Sequence, residues 1–164
     1  TAGEYDEMIE LKTAVLYAAS TAIPAHVLGA DRETIDAMTG FGIDVGRAFQ
    51  IKDDLLDLTT PSDTLGKQRG SDLIEGKQTL VTLHARQQGV DVDSLLDVDD
   101  PAAVTEADVD AALEALRDAG SIEFARSRMH ALTDEAIDRL DVLPENEASD
   151  TLADLATYLV EREY

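Results

Sequence analysis

An all-α fold is predicted for this chain of 164 residues, and three observations support the prediction. Hydrophobic residues make up 44% of the chain but aromatic residues only 4%, so the core must consist of Leu, Ala, Val and Ile, a composition typical of helices. Apolar residues recur at helical spacing along most of the sequence. Strand-like alternation never exceeds four residues. The length predicts one domain, residues 1–164.

The first helix is predicted from a cap and from apolar periodicity. Thr1 and Glu4 have the spacing of a capping box, and apolar residues at helical spacing follow over 8–16. The next apolar segment, 20–29, contains Pro24. Proline is tolerated in the first turn of a helix, so we expect a second short helix to begin there.

A long helix is predicted from Asp31, which can cap it, to about Leu58. Three glycines, Gly40, Gly42 and Gly46, lie inside this helix. Each costs about 1 kcal/mol relative to Ala in a helix interior. We therefore expect them where the helix packs closely against another helix.

The rest of the chain is predicted to alternate loops with helices. Residues 59–76 are rich in Pro, Ser, Asp, Gly and Lys and are predicted to form a loop, and loops of this length tend to be functional. Helices are predicted over 78–88, from a cap at Thr105 to Gly120, over 121–143 and over 147–162, with an acidic surface connection over 91–104. Residues 1–88 carry the motifs described below, and 105–164 form the C-terminal helices.

Composition excludes several classes of function. The sequence has no cysteine, which excludes disulfides, thiolate-bound zinc and thiol catalysis. The net charge of -22 would repel a phosphate backbone, so no nucleic acid is expected as a partner. Nine arginines against four lysines favour a halophilic surface, adapted to molar salt that screens charge repulsion. With no signal-peptide pattern and no apolar run of about 18 residues, we expect a cytoplasmic protein without a transmembrane segment.

An aspartate cluster lies near the end of the predicted long helix. Gln50, Asp53, Asp54 and Asp57 stand at i, i+3, i+4 and i+7 and share one stripe of that helix. Like charges at this spacing repel by about 0.2–0.5 kcal/mol per pair, so we expect a cation among them. Mg²⁺ usually takes one or two protein carboxylates and completes its octahedron with water and substrate phosphate. The stripe therefore predicts a site for a magnesium-bound diphosphate.

Three of the four lysines of the chain lie in or just after this cluster. They are Lys52, Lys67 and Lys77, and the fourth, Lys12, is followed by Thr13. Lysine is a compact point charge suited to phosphate oxygens. A chain that otherwise avoids lysine is expected to keep these residues for contact with an anion.

Six short motifs, in order and spacing, resemble the trans-isoprenyl diphosphate synthases, the polyprenyl synthetase family. They are Lys12-Thr13, Phe49-Gln50, Asp53-Asp54-x-x-Asp57, Gly66-Lys67, Gly70-Ser71-Asp72-Leu73 and Glu75-Gly76-Lys77. The chain looks like the carboxy-terminal half of a geranylgeranyl or farnesyl diphosphate synthase of haloarchaeal style. The resemblance implies the C-terminal portion of an isoprenoid synthase-type helical bundle.

The resemblance also implies a role for each matched residue. The implied magnesium ligands are Asp53, Asp54 and Asp57, and the implied diphosphate-binding residues are Lys12, Lys67 and Lys77. The implied catalytic residues are Lys12, Thr13 and Gln50, of which the last two line the allylic carbons. Lys52 matches no function of the family. The implied reaction condenses isopentenyl diphosphate with an allylic diphosphate.

The family carries two aspartate-rich motifs, and Asp53-Asp54-x-x-Asp57 resembles the second of them. The first motif and the family's isopentenyl diphosphate-binding segment are not found in this sequence. We therefore expect the partner to be a missing N-terminal half or another copy in a homo-oligomer, and we expect no prenyl transfer by the chain alone. Two alternatives stay open at this point. One is a non-catalytic, diphosphate-binding subunit of a hetero-oligomeric synthase, and the other is an enzyme resembling terpene cyclases.

Overall fold

The computed structural model describes residues 2–96 and 103–162, and within these ranges the chain contains helices but no strand, which confirms the all-α prediction. In chain order the helices are α1 (Ala2–Ile9), α2 (Val15–Val27), α3 (Arg32–Thr59), α4 (Ser62–Leu65), α5 (Ser71–Ile74), α6 (Leu80–Gln87), α7 (Glu106–Asp118), α8 (Ser121–Asp138) and α9 (Glu147–Glu161). A π-helical turn, Glu10–Ala14, joins α1 to α2, and 3-10 turns occupy Val92–Ser94 and Arg139–Val142. None of the described helices combines the length and the apolar character that crossing a membrane requires.

The described residues form two compact units. The first unit comprises the chain up to residue 5 and 51–127, and the second comprises 6–50 and 128–162. Buried side chains of the first unit include Ile51, Leu55, Val81, Val109 and Leu116. The core of the second unit is formed by Met38, Phe41, Val45, Ala136, Leu140 and Ala156, together with Ala25. The single domain over residues 1–164 stays a prediction.

Two of the predicted helix caps are confirmed. Asp31 Oδ1 accepts a hydrogen bond of 2.9 Å from the Thr34 backbone N–H, and this bond lowers the pKa of Asp31. At the start of α7, the Thr105 side chain accepts from the Asp108 N–H, and the Asp108 carboxylate accepts from the Thr105 N–H. Such reciprocal bonds satisfy N–H groups that a helix start leaves unpaired. The predicted cap at Thr1 lies outside the described residues.

Gly42 of α3 lies against α2, and Gly46 lies against the π-helical turn that precedes α2. A Cβ atom on Gly42 would lie 2.5 Å from the Ala18 Cα, and one on Gly46 would lie 2.5 Å from the Ala14 Cα. The neighbouring atoms belong to backbone, which cannot rotate away as a side chain can. The prediction that these glycines permit close helix packing is therefore confirmed.

Gly40 makes room for an ion pair instead. A Cβ atom there would lie 2.6 Å from the Arg139 Nη1. Arg139 Nε donates to Asp44 Oδ2 at 2.6 Å, and the Asp44 residue is 4% exposed. Because a buried carboxylate is costly without a partner, this space for the guanidinium stabilises the second unit.

Two predicted details are wrong. Pro24 lies inside α2 and does not begin a new helix; its ring removes one helical hydrogen bond, but α2 continues past it to Val27. The predicted loop, 59–76, contains α4 and α5, which are too short to produce apolar periodicity. The helix predicted over 78–88 is confirmed within two residues at each end, and it begins at Leu80 because Thr79 caps it.

The C-terminal helices lie where the sequence predicts them. Helix α7, the run of α8 with the following 3-10 turn, and α9 confirm the three predicted segments within two residues at each end. The acidic connection over 91–104 buries Val92 and Val104, which are 6% and 7% exposed, so it is not wholly a surface segment. Residues 97–102 of that connection lie outside the described ranges.

Candidate functional site

The predicted metal ligands lie in the last two turns of α3. The helix continues to Thr59, so Asp53, Asp54 and Asp57 keep the helical spacing that the sequence predicts. Asp53 is partly exposed, whereas Asp54 is 6% and Asp57 only 1% exposed. A carboxylate removed from water needs hydrogen-bond donors or cations as partners.

Asp57 fastens the segment that follows α3. Its Oδ1 accepts from the Ser71 Oγ at 2.6 Å and lies 2.6 Å from the Lys67 Nζ. Its Oδ2 accepts from the Asp72 N–H at 2.9 Å, and its backbone carbonyl accepts from the Gly70 N–H at 2.7 Å. One buried aspartate therefore holds both a lysine and the first turn of α5.

Two of the predicted diphosphate-binding lysines belong to the same network. The hydrogen bond with Asp57 raises the pKa of Lys67. The Lys77 Nζ lies 2.7 Å from Asp72 Oδ1 and 2.9 Å from Glu75 Oε2, and the hydrogen bonds with these two carboxylates raise the pKa of Lys77. Both lysine side chains are about half exposed, at 52% and 53%. Two cations thus stand at the surface of the segment after α3.

Loss of the Asp57 carboxylate should release this segment. Asp57→Ala removes the acceptor of two hydrogen bonds and one ion pair, and we expect it to lower the free energy of unfolding by about 2–4 kcal/mol. Urea unfolding in molar KCl, followed by circular dichroism, measures the change. Asp134→Ala, at an exposed helical position, is the control and should change stability by less than about 0.5 kcal/mol. Equal stability of the two variants would show that Asp57 does not fasten the segment.

A tyrosine outside the predicted motifs contacts the second aspartate. The Tyr5 hydroxyl donates to Asp54 Oδ2 at 2.8 Å, and the Tyr5 residue is 3% exposed. The two residues are 49 positions apart, so no local pattern in the sequence could predict the pair. Ser71 and Asp72 were also missed as partners of Asp57, although they stand inside a recognised motif.

The predicted catalytic residues lie in the second unit. Thr13 Oγ1 donates to Gln50 Oε1 at 2.9 Å, so the structure brings these two side chains together. Lys12 and Thr13 both belong to the π-helical turn, and Lys12 is exposed. Single π-helical turns occur frequently at functional sites. The role of Lys12 in diphosphate binding stays a prediction.

The donor set at the end of α3 is compatible with magnesium. Within residues 2–96 and 103–162, no three His, Cys, Asp or Glu side chains are gathered so that they could hold a metal ion by themselves. Magnesium does not require three, since it usually takes one or two carboxylates together with water and substrate phosphate. Asp53 and Asp54 supply hard oxygens on adjacent positions of α3. Asp57 already binds Lys67 and α5, so a metal there would share its carboxylate with them.

Comparison with known proteins identifies similar chains. The model of the family described as polyprenyl synthetase matches residues 1–116. Over all of its 164 residues the chain is 60% identical to the geranylfarnesyl diphosphate synthase of Natronomonas pharaonis, of which it covers 47%. It is 39% identical to the geranylgeranyl diphosphate synthase of Methanosarcina mazei, of which it covers 49%.

Solved structures give the same result. The geranylgeranyl pyrophosphate synthetase of Geoglobus acetivorans aligns with a TM-score of 0.84 and 34% identity, over 98% of this chain and 48% of that one. A polyprenyl synthase of Caulobacter crescentus, complexed with calcium and isoprenyl diphosphate, aligns with a TM-score of 0.85 and 31% identity, over 100% of this chain and 51% of that one. The chain therefore spans about half the length of the curated relatives and solved structures that it matches.

Proposed function

Because the chain belongs to the polyprenyl synthetase family, we propose that it is part of a short-chain prenyltransferase that condenses isopentenyl diphosphate with an allylic diphosphate. The observation that best supports this proposal is the network at the end of α3. There Asp57 binds Lys67 and the start of α5, and Asp72 binds Lys77. Carboxylates suited to Mg²⁺ and lysines suited to phosphate oxygens thus occur in one compact unit.

Asp53 and Asp54 would hold the magnesium ion of the allylic diphosphate, with Asp57 as the third aspartate of the motif. When bound, Mg²⁺ supplies positive charge that stabilises the departing diphosphate. In the proposed site, Lys67 and Lys77 neutralise the same leaving group. Their present partners are carboxylates, Asp57 for the first and Asp72 and Glu75 for the second. A diphosphate oxygen would take over part of those contacts, since it offers the same kind of acceptor.

The carbon chemistry would fall to polar side chains of the second unit. Heterolysis of the allylic C–O bond leaves an allylic cation, the double bond of isopentenyl diphosphate attacks it to form a C–C bond, and a proton is lost to the released diphosphate. Thr13 donates its only hydroxyl proton to Gln50. A hydroxyl oxygen has lone pairs, which would stabilise positive charge placed beside it. We propose that these two residues stabilise the cation and that Lys12 contributes to binding the diphosphate.

A further helical segment is proposed as the partner of α2 and the π-helical turn before it. Apolar side chains exposed along the π-helical turn and α2 include Leu11 at 67%, Leu16 at 70%, Ile23 at 58% and Val27 at 79%. Exposed apolar residues in such number usually mark an interaction surface. Since relatives are about twice as long as this chain, we propose that the part of a synthase that this chain does not match covers the face.

The alternative of a subunit in a hetero-oligomeric synthase also has some support. The chain is 37% identical to a protein of Geobacillus stearothermophilus named heptaprenyl diphosphate synthase component 2, of which it covers 49%. That name describes one component of a synthase. If this chain were a diphosphate-binding subunit, it would co-purify with a polypeptide that carries its own aspartate-rich motif.

A chimera tests the proposed function. In it, this chain replaces the half that it matches in the Natronomonas pharaonis synthase, and the protein is assayed with Mg²⁺, isopentenyl diphosphate and an allylic diphosphate in molar KCl. We expect a prenyl diphosphate product from the chimera and none from the chain alone. A folded chimera without turnover would contradict the catalytic proposal and favour the subunit alternative. Turnover by the chain alone would contradict the need for a partner.

A further inference from the structure

The hydrogen bond between Tyr5 and Asp54 joins α1 to α3 inside the first unit. It measures 2.8 Å, and both residues are almost fully buried, at 3% and 6% exposure. The aromatic ring accounts for the apolar contacts of Tyr5, and a phenylalanine would make the same contacts. The hydroxyl is the part of this side chain that needs a separate explanation.

The energetic balance indicates why the hydroxyl matters. A buried phenol without a hydrogen bond is unfavourable, and so is a buried carboxylate with fewer donors. A hydrogen bond to an ionised acceptor is about twice as strong as one between neutral groups. The hydrogen bond therefore satisfies both buried groups. It also restrains the Asp54 carboxylate, which the proposed function assigns to magnesium.

We propose that Tyr5 is a positioning residue of the magnesium–diphosphate site, acting through Asp54. The terminal torsion of an aspartate side chain is broad, so a carboxylate without a fixed donor samples a range of orientations. Mg²⁺ demands nearly ideal octahedral geometry. A donor on Oδ2 fixes the plane of the carboxylate and so fixes the direction in which it presents its lone pairs. Removing a group that orients a metal ligand in this way typically lowers metal affinity by about 10–100-fold.

This inference rests on the proposed function, and Tyr5→Phe tests it. The chain, with and without the substitution, is titrated with MgCl₂ at fixed inorganic pyrophosphate in molar KCl, and the rise in melting temperature reports binding. We expect Tyr5→Phe to require about 10–100-fold more Mg²⁺ for the same rise. Tyr158→Phe, which removes a hydroxyl from a residue that is 65% exposed, is the control and should leave the titration unchanged.

The magnesium dependence separates positioning from simple support of the fold. If the hydroxyl were purely structural, its loss would lower the melting temperature without moving the Mg²⁺ midpoint, and that result would overturn the inference.

Two further measurements bear on the same inference. In the chimera, positioning predicts that Tyr5→Phe raises the Mg²⁺ concentration needed for turnover and that saturating Mg²⁺ largely restores the rate. In a double-mutant cycle, Asp54→Asn should have less effect on the midpoint once Tyr5 is Phe, and additive effects would count against the proposal. If the unsubstituted chain shows no response to Mg²⁺ with pyrophosphate, while other prenyl synthases do, the proposed function itself fails.

Discussion

In the chimeric enzyme, Asp53→Asn is expected to lower the rate of product formation by about 10²–10³-fold, the usual range for losing one group that stabilises transition-state charge. Asparagine has nearly the shape of aspartate, so α3 should be unchanged, but it lacks the negative charge that binds Mg²⁺ strongly. Asp53 is partly exposed, which makes a large loss of stability unexpected. Initial rates at saturating substrates, measured over a range of Mg²⁺ concentrations, give the size of the effect.

The matched control for this substitution is Asp134→Asn. Asp134 also lies inside a helix and is exposed. Its substitution by Asn changes the net charge by the same amount as Asp53→Asn but leaves the acidic end of α3 unaltered. It should keep the full rate. Asp53→Asn activity within about twofold of the control would exclude Asp53 as a magnesium ligand, because losing one group that stabilises transition-state charge costs about 10²–10³-fold.

Gly42→Ala and Gly46→Ala are each expected to destabilise the protein by about 1–3 kcal/mol or more. The added methyl group would lie 2.5 Å from the Cα of Ala18 or of Ala14, which is too close for contact with a backbone atom. Alanine is the better helix former by about 1 kcal/mol, so helix propensity alone predicts the opposite sign. The sign of the change in the free energy of unfolding, measured by urea titration, therefore shows whether helix packing or helix propensity dominates at these positions.

Two other glycines serve as controls for this experiment. Gly3 lies in α1, and no atom stands within 4 Å of the position that an added methyl group would take, so Gly3→Ala should be neutral or slightly stabilising. Gly40→Ala meets the flexible Arg139 side chain instead of backbone, and its cost should be intermediate. If Gly42→Ala were as harmless as Gly3→Ala, the close approach of α2 to α3 would be wrong.

Local signals were sufficient to predict most of the helices. Caps at Asp31 and Thr105 and the apolar spacing between them are properties of neighbouring residues, and the helices begin where these signals stand. Pro24 misled the prediction because its effect depends on what packs against the helix around it. The one-turn helices α4 and α5 depend on partners such as Asp57, which lies far from them in the sequence.

Features of the candidate site likewise fall into those that local sequence predicts and those that depend on tertiary packing. The spacing of Asp53, Asp54 and Asp57 on one helix is a local property, and the continuous α3 confirms it. Two other contacts depend on tertiary packing that no single segment encodes. They are the contact of Asp57 with Ser71 and α5 and the hydrogen bond from Tyr5 to Asp54. Sequence reasoning could therefore predict which candidate residues share one stripe of α3, but not which side chains bind them.

The π-helical turn changes how the α1–α2 segment has to be compared with an ordinary helix. Ile9 and Ala14, both 0% exposed, are five positions apart, whereas Ala14 and Ala18 keep the usual four. The extra residue advances the angular phase by about 100° from there onward. A helical-wheel projection drawn across the whole segment would consequently place Thr13 on the buried side and Ala14 outside it. Any redesign of this segment needs two separate wheels, one for each side of Glu10–Ala14.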